Sequence, residues 1–91
     1  FLGASERKYL MPGEKIDLYG GSDFSPEGTP KGARALPPGT SEQPLRTFEV
    51  VKPFEVQSGT VAPAFNELGL GTQYKSPVKL KTLLDRGILK E

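Results

Sequence analysis

The chain has 91 residues, 12 basic and 11 acidic side chains and a net charge of +1, so its charge balance predicts no strong attraction to nucleic acid or membrane surfaces. It contains neither histidine nor cysteine, which excludes a Ser-His-Asp triad, disulfide bonds and thiolate metal sites. Any catalysis must therefore use carboxylates, guanidinium groups, amides and backbone dipoles.

The first half of the chain is rich in turn-forming residues. Residues 5–11 are polar and predict a lead-in segment with one helical turn, and residues 14–21 predict a strand that ends at two glycines. Proline or glycine recurs at about every third position of residues 24–40, which predicts an irregular loop. Within it, residues 33–36 are expected to be extended, because a proline follows them.

The second half carries the clearest strand pattern. Residues 45–57 are rich in phenylalanine and valine, and Pro53 divides them, which indicates an edge strand or a bulge. A turn and a short strand are expected in residues 58–65, an extended segment in residues 72–74, and a last short strand in residues 88–89.

Residues 76–87 predict a helix. Ser76 would be its N-cap, Pro77 its first helical residue and Gly87 its C-cap. Together these elements predict an α+β fold: a compact antiparallel β-rich core with one C-terminal helix, forming a single domain over residues 1–91. Because the chain begins with Phe1, we expect it to be the C-terminal part of a longer protein.

Three side chains are candidates for binding a ligand, and each also has a purely structural interpretation. Gln73 follows a glycine cluster, where the backbone could approach a ligand that the amide would orient, or the amide could cap a backbone group. Arg34 could bind an anion from a rigid loop or be a solvated loop residue. Phe24 could stack against a ring or fill the core.

Several segments together resemble one family. From Leu10 to Glu91 the chain reads LMPGEKIDLYGG, FSPEGTP, RALPPGT, FEVVKPFEVQSGTVAPAF, GLGTQY and VKLKTLLDRGILKE, in that order. This series resembles the tuberculosis necrotizing toxin (TNT) domain family, which includes secreted bacterial toxins and fungal surface enzymes. The resemblance implies a compact, mostly β fold related to ADP-ribosylating toxins. It also implies an NAD(P)+ glycohydrolase, in which water cleaves the bond between nicotinamide and ribose.

The resemblance also implies roles for individual residues. Gln73 matches the family's catalytic-pocket glutamine, Arg34 the arginine that holds the NAD phosphates, and Phe24 an aromatic residue that packs against the ligand. No metal and no cofactor is expected, since NAD or NADP is the substrate. The full set of substrate-binding residues that we expect is Leu18, Tyr19, Phe24, Ser25, Arg34, Gly71 and Thr72.

The chain departs from the family pattern at two positions. Leu18 replaces an arginine that the family commonly has, and Ala64 replaces a tryptophan. Arg46 or Lys15 could supply the missing positive charge. Two alternative functions stay open: an ADP-ribosyltransferase toxin, and a degenerate module that binds NAD or another protein, which these two departures favour.

The resemblance further implies where such a domain acts and what binds it. We expect secretion, or delivery into a target cell as part of a larger toxin, without membrane insertion by this domain. A producing bacterium would need an immunity protein. Its acidic surface would cover the pocket mouth where residues 24–38 and 69–74 meet, opposite Arg34 and the nearby lysines.

Overall fold

The computed structural model describes residues 1–91 and contains seven strands and three short helices. No helix is long and apolar enough to cross a membrane. The elements in chain order are β1 (Leu2–Leu10), β2 (Lys15–Tyr19), β3 (Asp23–Pro26), α1 (Lys31–Arg34), α2 (Pro38–Ser41), β4 (Leu45–Val50), β5 (Phe54–Thr60), β6 (Thr72–Lys75), α3 (Leu80–Asp85) and β7 (Leu89–Lys90).

All seven strands form one antiparallel sheet in the order β1-β5-β6-β3-β2-β4-β7. The short strand β3 joins its two halves. Phe24 pairs with Tyr74 of β6, whereas Ser25 pairs with Asp17 of β2. The predicted α+β fold with an antiparallel core is therefore confirmed.

The hydrophobic core lies on one face of this sheet. Leu10 of β1 and apolar side chains of β2, β3, β4, β5 and β6 form one buried cluster, which Leu83 of α3 and Leu89 of β7 complete. Phe24 and Phe48 meet edge to face at its centre, with ring centroids 6.1 Å apart and an interplanar angle of 89°. This aromatic contact spans β2, which lies between β3 and β4 in the sheet.

The predicted strands in residues 14–21, 45–57, 72–74 and 88–89 are all present. Pro53 lies in the connection between β4 and β5, which are not neighbours in the sheet, and so marks neither an edge nor a bulge. The helical turn expected in residues 5–11 is wrong, because residues 5–10 belong to β1, which pairs with β5. Long-range backbone pairing decides their conformation, and their mixed polar sequence does not reveal it.

The loop expected in residues 24–40 contains β3 and the two one-turn helices. Residues 33–36 are not extended: α1 ends at Arg34, and Ala35 is left-handed with φ of 46°. Helix α2 begins at Pro38, a position where proline is favoured because no backbone donor is lost there.

Helix α3 is shorter than predicted and begins at Leu80. The Ser76 hydroxyl accepts a hydrogen bond from the Val78 amide at 3.0 Å and so forms a local turn before the helix. At the other end, the amide of Gly87, with φ of 66°, donates to the Leu84 carbonyl, and the Ile88 amide donates to Leu83. This pattern is a Schellman motif, in which Arg86 is the C-cap and the predicted C-cap residue, Gly87, is the next residue.

Candidate active site

A small pocket opens on the face of the sheet that lies opposite the core. About 10 Å³ of it is available to the centre of a water molecule, which is about the space that a single water occupies. The lining residues are Tyr19, Asp23, Ser25, Arg34, Leu36, Val61 and Gln73. The structure thus brings together four of the residues that the sequence singled out.

Strand alternation explains why the pocket has this lining. Successive side chains of a strand point to opposite faces, so Tyr19 lies on the face opposite to Leu18, and Gln73 on the face opposite to Tyr74. On β3, Ser25 follows the buried Phe24 and pairs across the ladder with Asp17. The pocket-lining residues of these three strands therefore share one face, and Leu18, Phe24 and Tyr74 share the other.

Arg34 is held above this face by a buried ion pair. Its Nη2 atom lies 2.5 Å from Oδ1 of Asp17, and its Nε atom donates to the Thr29 carbonyl at 2.8 Å. The other Asp17 oxygen accepts the Gly28 amide at 2.9 Å. The guanidinium group also lies over the Tyr19 ring, 4.8 Å from its centroid. The network ties helix α1 and the turn before it to β2.

This network changes the expectation for Arg34. The predicted phosphate clamp needs a guanidinium group that is free to meet an incoming anion, but Asp17 neutralises this one, and the Arg34 side chain is only 4% exposed. The geometry therefore gives Arg34 an anchoring role first. Lys31 is an exposed cation beside the pocket-lining Tyr19, with its Nζ atom 5.0 Å from the ring centroid.

The glycine loop before β6 packs against α1. The Gly69 amide donates to the Gly32 carbonyl at 2.9 Å, and the Gly71 amide donates to the Ala33 carbonyl at 3.0 Å. A Cβ atom on Gly71 would lie 2.8 Å from that same Ala33 oxygen. Close approach of backbone was predicted here, but the partner is the helix that carries Arg34. Gly71 itself does not line the pocket.

Two predicted ligand contacts need correction, because their side chains are part of the core. Leu18 is 2% exposed and Phe24 is 1% exposed, and both belong to the main apolar cluster. Because side chains alternate along a strand, each of them lies on the core face, next in sequence to a residue that lines the pocket. Neither side chain reaches the pocket in this structure.

Thr72 also lies away from the pocket. It is exposed and lines a separate groove with Ser5 and Ser58, on the face of the sheet opposite to Gln73. The two cations named as replacements for the missing arginine likewise do not line the pocket that contains Gln73. Arg46 forms a bidentate ion pair with Glu91. Lys15 lines a different groove near the C-terminus.

Ala64, which stands where the family commonly has a tryptophan, lies in the connection between β5 and β6. Ala64 is exposed and forms a bridge with Glu67 in a small turn. It touches neither the main core cluster nor the pocket lining. A larger side chain is therefore not needed here to complete either of them.

The sequence reasoning missed three residues near the pocket. Asp17 anchors Arg34, and Asp23 lines the pocket beside Ser25. Phe1 covers Gly59, since a Cβ atom on that glycine would lie 2.5 Å from the Phe1 ring, and Gly59 pairs directly with Gln73. Alternation along β2 and β3 could have revealed the two aspartates, but no local signal reveals Phe1.

Comparisons with known proteins agree with this description. The family model described as "Tuberculosis necrotizing toxin" matches residues 9–91. A conidial surface nicotinamide adenine dinucleotide glycohydrolase of Aspergillus fumigatus is 33% identical, in a match covering 89% of this chain and 39% of that protein. A structure of tuberculosis necrotizing toxin complexed with its immunity factor superposes with a TM-score of 0.73 at 19% identity.

That superposition covers 93% of this chain and 55% of the toxin chain, so this chain spans about half of the solved toxin and less of the fungal enzyme. The structural likeness supports the fold, and the family match extends over nearly the whole sequence. This chain belongs to the tuberculosis necrotizing toxin family.

Proposed function

We propose that this chain is an NAD(P)+ glycohydrolase domain of the toxin type, which hydrolyses the nicotinamide–ribose bond to give nicotinamide and ADP-ribose. Family membership and the 33% identity to a fungal NAD glycohydrolase support this proposal. The structural observation that carries it is the pocket itself, in which Gln73, Ser25 and Tyr19 surround a space of about one water molecule.

This chemistry suits a chain without histidine. Nicotinamide leaves as a neutral base from a cationic precursor, so its departure needs no general acid. The site must instead hold the dinucleotide in a reactive geometry, stabilise the positive charge that develops on the ribose, and admit one water. A pocket of this size can hold the water but not the dinucleotide, which would therefore lie across the pocket mouth.

In this proposal Gln73 orients the ribose or the attacking water. Its side chain is half-buried at the pocket, and an amide can donate and accept at once. Tyr19 forms a wall that the guanidinium group of Arg34 holds in place. Lys31 is the exposed cation best placed to meet the pyrophosphate, as a point charge rather than a bidentate fork.

The test is nicotinamide release from NAD and from NADP by the purified chain. Gln73→Ala should lower kcat by about 100-fold or more, which is typical of removing one transition-state hydrogen-bond partner. Its Tm should change little, because the amide lies outside the core. Gln57→Ala is the matched control, since Gln57 is exposed on the adjacent strand and does not line the pocket.

Wild-type activity together with an equally active Gln73→Ala variant would remove Gln73 from the mechanism. Absence of nicotinamide release by the wild type, with the dinucleotide still bound in calorimetry, would favour the degenerate binding module. Release of nicotinamide with ADP-ribose attached to protein, detected by mass spectrometry, would identify a transferase. Activity should also survive dialysis against a chelator, because the proposal uses no metal.

We further infer an extracellular or delivered mode of action, and an inhibitor in any bacterium that makes the domain. The fungal relative is named as a conidial surface enzyme, and the solved toxin is complexed with an immunity factor. An inhibitor here would contact Lys31 rather than Arg34, whose charge Asp17 neutralises. Co-expression with the neighbouring open reading frame tests this, and the free toxin tolerated by its producer would contradict it.

A further inference from the structure

We propose that Asp23 is a catalytic residue: its carboxylate takes the proton from the water that attacks the ribose C1′ atom. This inference rests on the proposed glycohydrolase function and deepens it. It assigns a general base to a chain that has no histidine, and the base comes from the strand that joins the two halves of the sheet.

The first support is that Asp23 is the only carboxylate among the seven residues that line the pocket. It is half-buried, and it takes part in none of the chain's four ion pairs. Asp17, the nearest other carboxylate on this face, is unsuitable because its two oxygens already accept bonds from Arg34 and Gly28. Only Asp23 has oxygens free to accept a proton in the pocket.

The second support is the register of β3 and β6. Asp23 pairs with Lys75, so Gln73, two residues away on the same face, is its diagonal neighbour across the ladder. Diagonal neighbours in an antiparallel pair lie about 7 Å apart between backbone positions. A gap of this kind lets a carboxylate and an amide contact one water from two sides, and the cavity has about the volume of one water.

The third support is the charge of the pocket. Arg34 is neutralised by Asp17, which leaves Asp23 as the uncompensated charge among the lining side chains. Lys75, its neighbour across the ladder, is exposed, and its ammonium group lies 5.7 Å from the Phe1 ring centroid. A net negative pocket attracts the cationic nicotinamide ribosyl group and stabilises an oxocarbenium-like transition state.

The reaction balances without any further reagent. The bond between C1′ and the nicotinamide nitrogen breaks, and its electron pair stays on that nitrogen, so neutral nicotinamide leaves. The water oxygen forms the new bond to C1′, its proton passes to the Asp23 carboxylate, and Asp23 then releases the proton to solvent. The products are nicotinamide, ADP-ribose and one proton. Gln73 orients the water while Asp23 accepts its proton.

The experiment compares Asp23→Asn and Asp23→Ala with wild type in NAD cleavage, measuring kcat and KM separately. Asp23→Asn should lower kcat by at least about 100-fold, which is typical of losing a general base, and should change KM much less. Asp85→Asn is the matched control, because Asp85 lies exposed on α3 in a surface pair with Lys81. It makes the same chemical change far from the pocket and should keep full activity.

Chemical rescue distinguishes a catalytic from a structural role. Added formate should restore part of the activity of Asp23→Ala, because the small anion can occupy the space of the lost carboxylate, and it should not affect Asp85→Asn. An active wild type with a fully active Asp23→Asn variant would overturn the role of Asp23 and leave the glycohydrolase function standing. A folded variant that loses activity without any formate rescue would overturn the base assignment. A wild type that releases no nicotinamide would overturn both proposals.

Discussion

The two faces of the same three strands serve different purposes. On β2, β3 and β6, the side chains of Leu18, Phe24 and Tyr74 are buried in the apolar cluster. The residues beside them in sequence point the other way and carry charge, hydroxyl or amide groups. One face therefore contributes to stability through apolar burial, and the other forms the pocket. Position along the strand, more than residue type, therefore decides which residues can touch a ligand.

A sequence motif does not show which face of a strand each of its side chains occupies. In the segment DFSP, the aromatic residue attracts attention, but Phe24 fills the core while the flanking Asp23 and Ser25 line the pocket. A one-residue shift of a strand exchanges its entire set of core and exposed side chains. A site assigned by motif alone can therefore be displaced by one residue at every position of a strand.

Placing a charge on the core face should give the largest effect on stability. We expect Leu18→Arg to lower the free energy of unfolding by several kcal/mol, because an arginine would be buried without an acidic partner. A small domain has a total stability of about 5–15 kcal/mol, so much of the variant should be unfolded at 37 °C. Thermal and urea unfolding measure the loss.

Leu45→Arg is the control for this substitution. Leu45 is 46% exposed and pairs with Tyr19 on the neighbouring strand, so the same change there should alter stability by less than about 0.5 kcal/mol. If Leu18→Arg folds as well as wild type and binds NAD more tightly, then position 18 reaches the ligand after all, and the division between the two faces is wrong for β2.

We expect the buried Asp17–Arg34 ion pair to stabilise the pocket side of the sheet, as apolar burial stabilises the core side. Asp17→Ala would leave the Arg34 guanidinium buried beside a lost carboxylate and would remove the acceptor for the Gly28 amide. We expect a loss of about 3 kcal/mol, as is typical when one partner of a buried pair is removed. Nicotinamide release should fall as well, since Arg34 holds the Tyr19 ring.

An exposed pair on α3 gives the comparison for this variant. Asp85→Ala removes the partner of Lys81 in an exposed (i, i+4) pair, and such pairs contribute at most about 0.5 kcal/mol. Equal losses for Asp17→Ala and Asp85→Ala would mean that the buried network does not stabilise α1. A double-mutant cycle of Asp17→Ala with Arg34→Met should then show a coupling energy near zero instead of 1–3 kcal/mol.

Much of the fold could be predicted from the sequence, because its strongest signals are local. The crude alternation in residues 14–21 predicted β2, the phenylalanine- and valine-rich residues 45–57 predicted β4 and part of β5, and the glycine after α3 predicted where that helix ends. The first strand could not be predicted in this way. Residues of β1 are mostly exposed on both faces, so no alternation of apolar residues reveals the strand, and only pairing with β5 specifies it.

The candidate site was predictable in part for the same reason. Gln73 and Tyr19 are placed by strands that the sequence predicted, and they meet at the pocket, whereas Ser25 reaches it from β3, in residues where a loop was expected. The state of Arg34 could not be predicted, because it depends on Asp17, a residue 17 positions away that becomes its partner only in the folded chain. Residue types indicate which charges are present, whereas the tertiary structure decides which of them are already paired.

The smallest effect should come from the partly exposed ion pair between Arg46 and Glu91, neither of which lines the pocket. Hydrogen bonds from Arg46 lower the pKa of the Glu91 side chain below its ordinary value of 4.5, and desolvation opposes this shift only in part. A carboxylate with a lowered pKa stabilises the folded state above its unfolded pKa, and this contribution disappears as pH falls through the folded value. Glu91→Gln should therefore lower Tm slightly at pH 7 and not at all near pH 3.

Glu6→Gln, which removes an exposed carboxylate that has no ion-pair partner, is the control and should leave Tm unchanged at both pH values. A Tm difference for Glu91→Gln that stays the same from pH 7 to pH 3 would show that Glu91 acts through packing and not through its charge.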